Sequence, residues 1–269
     1  TGELIDILKD CKFIVSLAGQ RRVRYEKKKN VHSFVEGYVF DSRKADKIVD
    51  GTKSDKEILA GRDELAGGTW LGLSKSGRFA ALTNYKENTT KKFKLSRGML
   101  VTDFLESNES AKSYLEDLNK QDYAGFNLIV GDRKGLFYCC NRSDGIYFLA
   151  EGVHALGNLT LNSNTDKIES VKMDLEELFL SEFKTQSALD MMKKEYGNLH
   201  EKSKEELKPK ESGEIPYRFI RSKIYGTRCT SVCRTISNGD IEFCEQSYTQ
   251  EGIEGEKKEF TFNIKSLSS

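Results

Sequence analysis

The sequence has no excess of charge of either sign: 43 lysines and arginines face 42 aspartates and glutamates. A chain so balanced has no net field, which excludes general electrostatic attraction to nucleic acid or an anionic membrane. It also lacks any run of about 18 apolar residues, so no segment is long enough to span a bilayer as a helix. The opening TGELIDILKD carries neither a basic n-region nor a long apolar stretch and does not read as a secretory signal. The expectation is a soluble, intracellular chain that is not secreted. The four Asn-x-Ser/Thr sequons, at Asn88, Asn108, Asn141 and Asn158, are expected to stay unmodified.

Cysteine is sparse. Six in 269 residues, without framework spacing, exclude the disulfide scaffold of a small secreted domain and read as mostly buried thiols. Cys139 and Cys140 are adjacent, so on a strand they point to opposite faces, while Cys229 and Cys233 share a face but lack a ligand quartet. No metal site is expected. Internal repeats are absent as well, and the length suits one domain with a substantial core, which sets the default at a single domain over 1–269.

What is present is a pattern of strands and helices in blocks. KFIVSLAG (12–19) is strand-like, and the basic stretch from Arg21 to Lys29 reads as a solvated loop. TWLGLSK, a Ser76–Gly77 turn and RFAALTNY form a hairpin by their alternation, with Trp70 as a core residue. In SRGMLVTDFLESNESAKSYLEDL, Leu100, Phe104 and Leu105 recur at helical spacing, and a second amphipathic stretch reaches Leu118. FNLIVGD, GLFYCCN, GIYFLAE and GVHALGN read as a meander of four strands. Residues 166–196 return to helix, with one apolar stripe at Leu175, Leu178 and Phe179 and another at Ala188, Met191 and Met192. The segment 193–214 is dense in Lys and Glu and reads as a charged loop insertion. TRCTSVCRTI, the turn SNGD and IEFCEQSY form a second hairpin, followed by a strand at EFTFNI. Meandering strands with helices in blocks give an α+β class, antiparallel sheets covered by helical layers.

The run GGTWLGLSKSGRFAALTNY (67–85) resembles the signature hairpin of the Transport and Golgi organization protein 2 family, also called the NRDE family. SRGMLVTDFL, GFNLIVGD, YGTRCTSVCRT and DIEFCEQ agree in the same order, so the resemblance covers about residues 58–250. It implies an N-terminal-nucleophile-hydrolase-like αββα sandwich, two antiparallel sheets between helix layers. The first sixty residues depart from the family pattern. Where the family has Asn-Arg-Asp-Glu, this chain reads Gln20, Arg21, Arg22, Val23, and where the family begins Met-Cys, position 1 is Thr. In such hydrolases the first mature residue attacks and its α-amino group is the base. Thr1 would serve only as a true mature terminus, and Cys11, inside the chain, is no substitute.

The same resemblance places Arg21, Asn84, Asn158 and Arg228 in a pocket. There amide donors would stabilise a developing oxyanion, and guanidinium groups would hold a thiolate or carboxylate. Each has a plainer alternative: Asn84 and Asn158 as turn residues, Arg228 in an ion pair, Arg21 among many surface charges. His154 is a candidate haem ligand, or a strand histidine with ordinary hydrogen bonds. Two functions follow. The first is a non-catalytic factor in Golgi organisation, secretory transport and lipid or haem mobilisation, with haem, acyl-CoA or lipid as ligand and no resident cofactor. The second is an N-terminal-nucleophile amidohydrolase whose Met-Cys start is missing from the sequence. Cytoplasm, with Golgi or mitochondrial association, is the expected location.

Overall fold

The computed structural model describes residues 58–61, 68–87, 89–91, 93–180, 183–194, 218–220, 227–235, 240–249 and 251–263. Thr1, Cys11, Arg21, Asn88, the expected strand at 12–19, the first three residues of the SNGD turn and most of the charged 193–214 segment lie outside these residues.

Alternating apolar residues in short strands build a six-stranded antiparallel sheet in sequential order. Its strands are β1 (Ile58–Ala60), β2 (Leu71–Ser74), β3 (Phe79–Asn84), β4 (Phe126–Asp132), β5 (Gly135–Cys140) and β6 (Ile146–Phe148). A three-stranded antiparallel sheet follows from β7 (Cys229–Thr235), β8 (Asp240–Tyr248) and β9 (Glu254–Asn263). Helices α1 (Met99–Glu106) and α2 (Ala111–Glu116) interrupt the first sheet between β3 and β4, and α3 (Asp166–Phe179) and α4 (Thr185–Lys193) precede the second.

The two-residue period of a strand divides β3 between two cores. Ala80 and Leu82 pack with Leu100, Val101, Phe104 and Leu105 of α1, whereas Phe79 and Ala81 pack with Cys233, Ile241 and Phe243 of the second sheet. On the other face of that sheet, Val232 and Cys244 meet Phe183, Ala188 and Leu189. Burying each large apolar side chain contributes about 1.5–3 kcal/mol. Close packing sets residue size at Gly72, where a Cβ would lie 2.4 Å from Leu105 Cδ1. Caps fix the helix starts: Ser110 Oγ accepts from Ser113 N at α2, and Thr165 Oγ1 accepts from Ile168 N at α3.

Three expectations are corrected. GVHALGN (152–158) is not a strand but part of a loop with no regular structure, because side chains satisfy its backbone groups and no ladder forms. The strand in GIYFLAE shortens to Ile146–Phe148. The helical stretch 166–196 splits into α3 and α4, with Phe183 buried between them. Trp70 is only half-buried and packs against the α1 side of the core. Cys139 and Cys140 lie on opposite faces, as the strand period requires.

Candidate functional site

The face of the first sheet that meets the second sheet is apolar at Phe79, Ala81 and Ile129, then turns polar along the strands. Thr83, Asn127 and Cys140 stand opposite one another across β3, β4 and β5, with Tyr138 beside them. Asn127 donates from Nδ2 to Leu159 O at 2.8 Å and to Thr83 Oγ1 at 3.2 Å, and its Oδ1 accepts from the Tyr138 hydroxyl at 2.8 Å. Thr83 Oγ1 donates to Gly157 O at 2.8 Å, and Leu161 N donates to the Tyr138 hydroxyl oxygen at 3.2 Å. Burial pushes the Tyr138 hydroxyl above its ordinary range, the Leu161 amide opposing, so Tyr138 remains a neutral donor.

The 157–161 loop brings Asn158 to the end of β3. Asn158 Nδ2 donates to Asn84 O at 3.0 Å, and Lys86 N donates to Asn158 O at 2.7 Å. Two of the sequence-derived pocket residues are therefore adjacent, but the Asn158 amide is committed to backbone. The Asn84 side chain differs: its Oδ1 is buried and no donor among the described residues reaches it. Such a buried acceptor costs about 1–3 kcal/mol until a donor arrives.

Arg228 stands half-buried at the start of β7, where its carbonyl accepts from Tyr248 N at 2.7 Å. Among the described residues no hydrogen bond or ion pair occupies its guanidinium, and none links it to Asn84 or Asn158. The ion-pair alternative for Arg228 finds no partner there. His154 is half-buried in the loop before Asn158, and both ring nitrogens are engaged, Nε2 with Ala150 O at 2.8 Å and Nδ1 with Asn162 Nδ2 at 3.1 Å. Ligating haem iron would break one of these contacts.

The five described cysteines are free and buried. Burial pushes the thiols of Cys139 and Cys233 up to about 12 and that of Cys244 up to about 11, so none of these three is prepared to attack a carbonyl at neutral pH. Among the described residues no group of three His, Cys, Asp or Glu side chains could hold a metal ion. No described helix is long and apolar enough to cross a membrane.

The family model described as Transport and Golgi organisation 2 matches residues 40–250, more than half of the chain. The chain belongs to this family. The Transport and Golgi organization 2 homolog of Mus musculus is 30% identical over 75% of this chain and 80% of its own length. The Homo sapiens homolog is 29% identical over 82% and 88%, and the Bos taurus homolog 30% over 72% and 78%. A second family model, the Mycobacterium phage L5 gene 82 protein, matches residues 5–54, outside the described residues. The Transport and Golgi organisation 2 match spans Asn84, Asn158 and Arg228 as well as Thr83, Asn127 and Tyr138. The last three escaped the sequence reading. The one signal for them was an Asn interrupting the apolar strand FNLIV at a position its neighbours Phe126 and Leu128 would suit.

Proposed function

We propose that this member of the Transport and Golgi organisation 2 family is a non-catalytic carrier that binds an anionic small molecule, haem through its carboxylates or an acyl lipid such as acyl-CoA through its phosphates, in support of secretory transport. The observation that carries the reading is the Arg228 guanidinium, half-buried and without a partner among the described residues. A guanidinium so placed keeps its planar fork of donors for a carboxylate. The buried thiols of Cys139, Cys233 and Cys244 support the absence of attack chemistry within the described part of the chain. Haem is cargo in this reading, not a resident cofactor. The protein acts in the cytoplasm with Golgi- or mitochondrion-associated pools, in keeping with relatives named for transport and Golgi organization. Direct titration of the purified chain with haemin and with palmitoyl-CoA tests the carrier; no saturable binding of either would sink it.

A second reading is an amidohydrolase on an N-terminal-nucleophile αββα scaffold. The order of the three cores favours it, since helices cover the outer face of each sheet and the sheets meet between them. In that reading Asn84, Asn158 and Arg228 hold a substrate acyl group beside a terminal Cys. Sequencing the mature terminus of the protein from its source decides: without a Cys there, the thiol nucleophile of this mechanism is missing.

A further inference from the structure

The loop from Val153 to Thr165 has no regular secondary structure, yet its middle is bonded residue by residue. Gly157 and Leu159 present carbonyls to Thr83 and Asn127, and Leu161 presents its N–H to Tyr138. Asn158 meets β3 instead, through Lys86 N and Asn84 O. Three side chains from three strands thus do most of what a backbone ladder does for a neighbouring strand.

Each of these bonds has one direction. Leu161 N–H can only donate, so the Tyr138 oxygen accepts it and its own hydrogen goes to Asn127 Oδ1. That fixes the Asn127 amide, whose two hydrogens go to Leu159 O and Thr83 Oγ1, leaving Thr83 to donate to Gly157 O. Asn127 is fully buried, where an unsatisfied amide costs more than a hydrogen bond contributes, so the bonds stand or fall together. The strand does not need this amide. Its pairing with β3 and β5 is made by backbone groups.

We infer that Thr83, Asn127 and Tyr138 are positioning residues that set the 157–161 loop and, through Asn158, the end of β3 with Asn84 for ligand binding. The inference rests on the carrier reading. None of the three has to touch the ligand.

The test uses the full chain and three variants. Tyr138→Phe deletes two bonds. Asn127→Asp keeps the size but turns two donors into acceptors facing Leu159 O and Thr83. Thr83→Val keeps the shape at a half-buried position and loses the bond to Gly157 and the longer one from Asn127 Nδ2, while Asn127 keeps Leu159 O and Tyr138, a milder change that keeps a folded sample in hand. Amide hydrogen exchange should accelerate at least ~10-fold at residues 157–162 in Tyr138→Phe and Asn127→Asp, and less in Thr83→Val, with the β4 and β5 ladder amides unchanged. Haemin and palmitoyl-CoA, the probes, should bind ~10-fold more weakly to the first two variants. Unchanged loop exchange in both variants overturns the inference, as does equal acceleration across β4 and β5. Faster loop exchange with unchanged Kd also overturns it, because the loop is then held for stability alone. A wild type that binds neither probe overturns the carrier reading instead, and loop exchange then decides whether the network sets the loop.

Discussion

Arg78 is 8% exposed and has been carried inside by the turn between β2 and β3 to the end of α1. Its Nε and Nη2 donate to Phe104 O at 3.1 and 2.8 Å, Nη1 to Glu109 O at 2.8 Å and Nη2 to Ser107 Oγ at 2.9 Å, while its Cζ lies 3.9 Å from the Phe104 ring centroid. A cation at a helix C-terminus is favoured by the macrodipole, and the planar fork reaches acceptors that one ammonium cannot. Replacing Arg78 by Met removes the buried charge and its desolvation cost but also every one of these bonds. Phe104 O keeps Ser107 N and Oγ as donors, whereas the Glu109 carbonyl loses its charged partner. Hydrogen bonds to charged groups contribute about 1.5–3 kcal/mol each and overlap here, so the net loss for Arg78→Met is about 2–3 kcal/mol. Thermal unfolding should show a Tm lower by about 5–10 °C. Arg78→Lys should recover only part of this. An Arg78→Met variant as stable as the wild type would refute the reasoning, because the buried cation would then contribute nothing to holding α1.

Two further perturbations test the packing and the inner face of the second sheet. Gly68→Ala would put a Cβ 2.3 Å from the carbonyl carbon of Gly98, where the chain crosses the start of α1, so urea unfolding should give a loss of about 3 kcal/mol; a loss below about 1 kcal/mol would mean the crossing yields freely. Burial pushes the Glu245 carboxyl above its ordinary range, opposed by the Ser231 hydroxyl at 2.9 Å and by Lys258. A raised carboxyl favours the folded state below its unfolded pKa, and this is lost as pH rises through the folded value, so Glu245→Gln should gain Tm over the wild type progressively from pH 4 to pH 8; a gap that shrinks with pH would contradict the assignment.

The hairpins β2–β3, β4–β5 and β7–β8 were legible because one face of each strand is buried, so alternation and turn residues carry the signal. The strand β9 begins five residues before EFTFNI because an exposed edge strand tolerates EGEKK, which has no apolar period. The loop holding Asn158 was misread as a strand for a related reason. GVHALGN has strand-like residues, but its bonds go to the side chains of Asn162 and Thr83, and side-chain partners leave no period in a sequence. Of the residues named from motifs, Asn84 and Asn158 are adjacent in space. The Thr83–Asn127–Tyr138 network left no signal beyond the Asn inside FNLIV because Thr83 and Asn127 meet across 44 residues of chain. Only the register of β3, β4 and β5 makes them neighbours.

The carrier reading depends on the Arg228 guanidinium, which has no partner among the described residues, and one measurement tests it: calorimetric titration of haemin and palmitoyl-CoA into the wild type, Arg228→Ala and Asn84→Ala. The account predicts saturable binding of at least one ligand to the wild type, weakened ~10-fold or more by Arg228→Ala, since a charge-assisted bond contributes about 1.5–3 kcal/mol, and less by Asn84→Ala. Saturable binding that is indifferent to Arg228→Ala, or no binding at all, would contradict it.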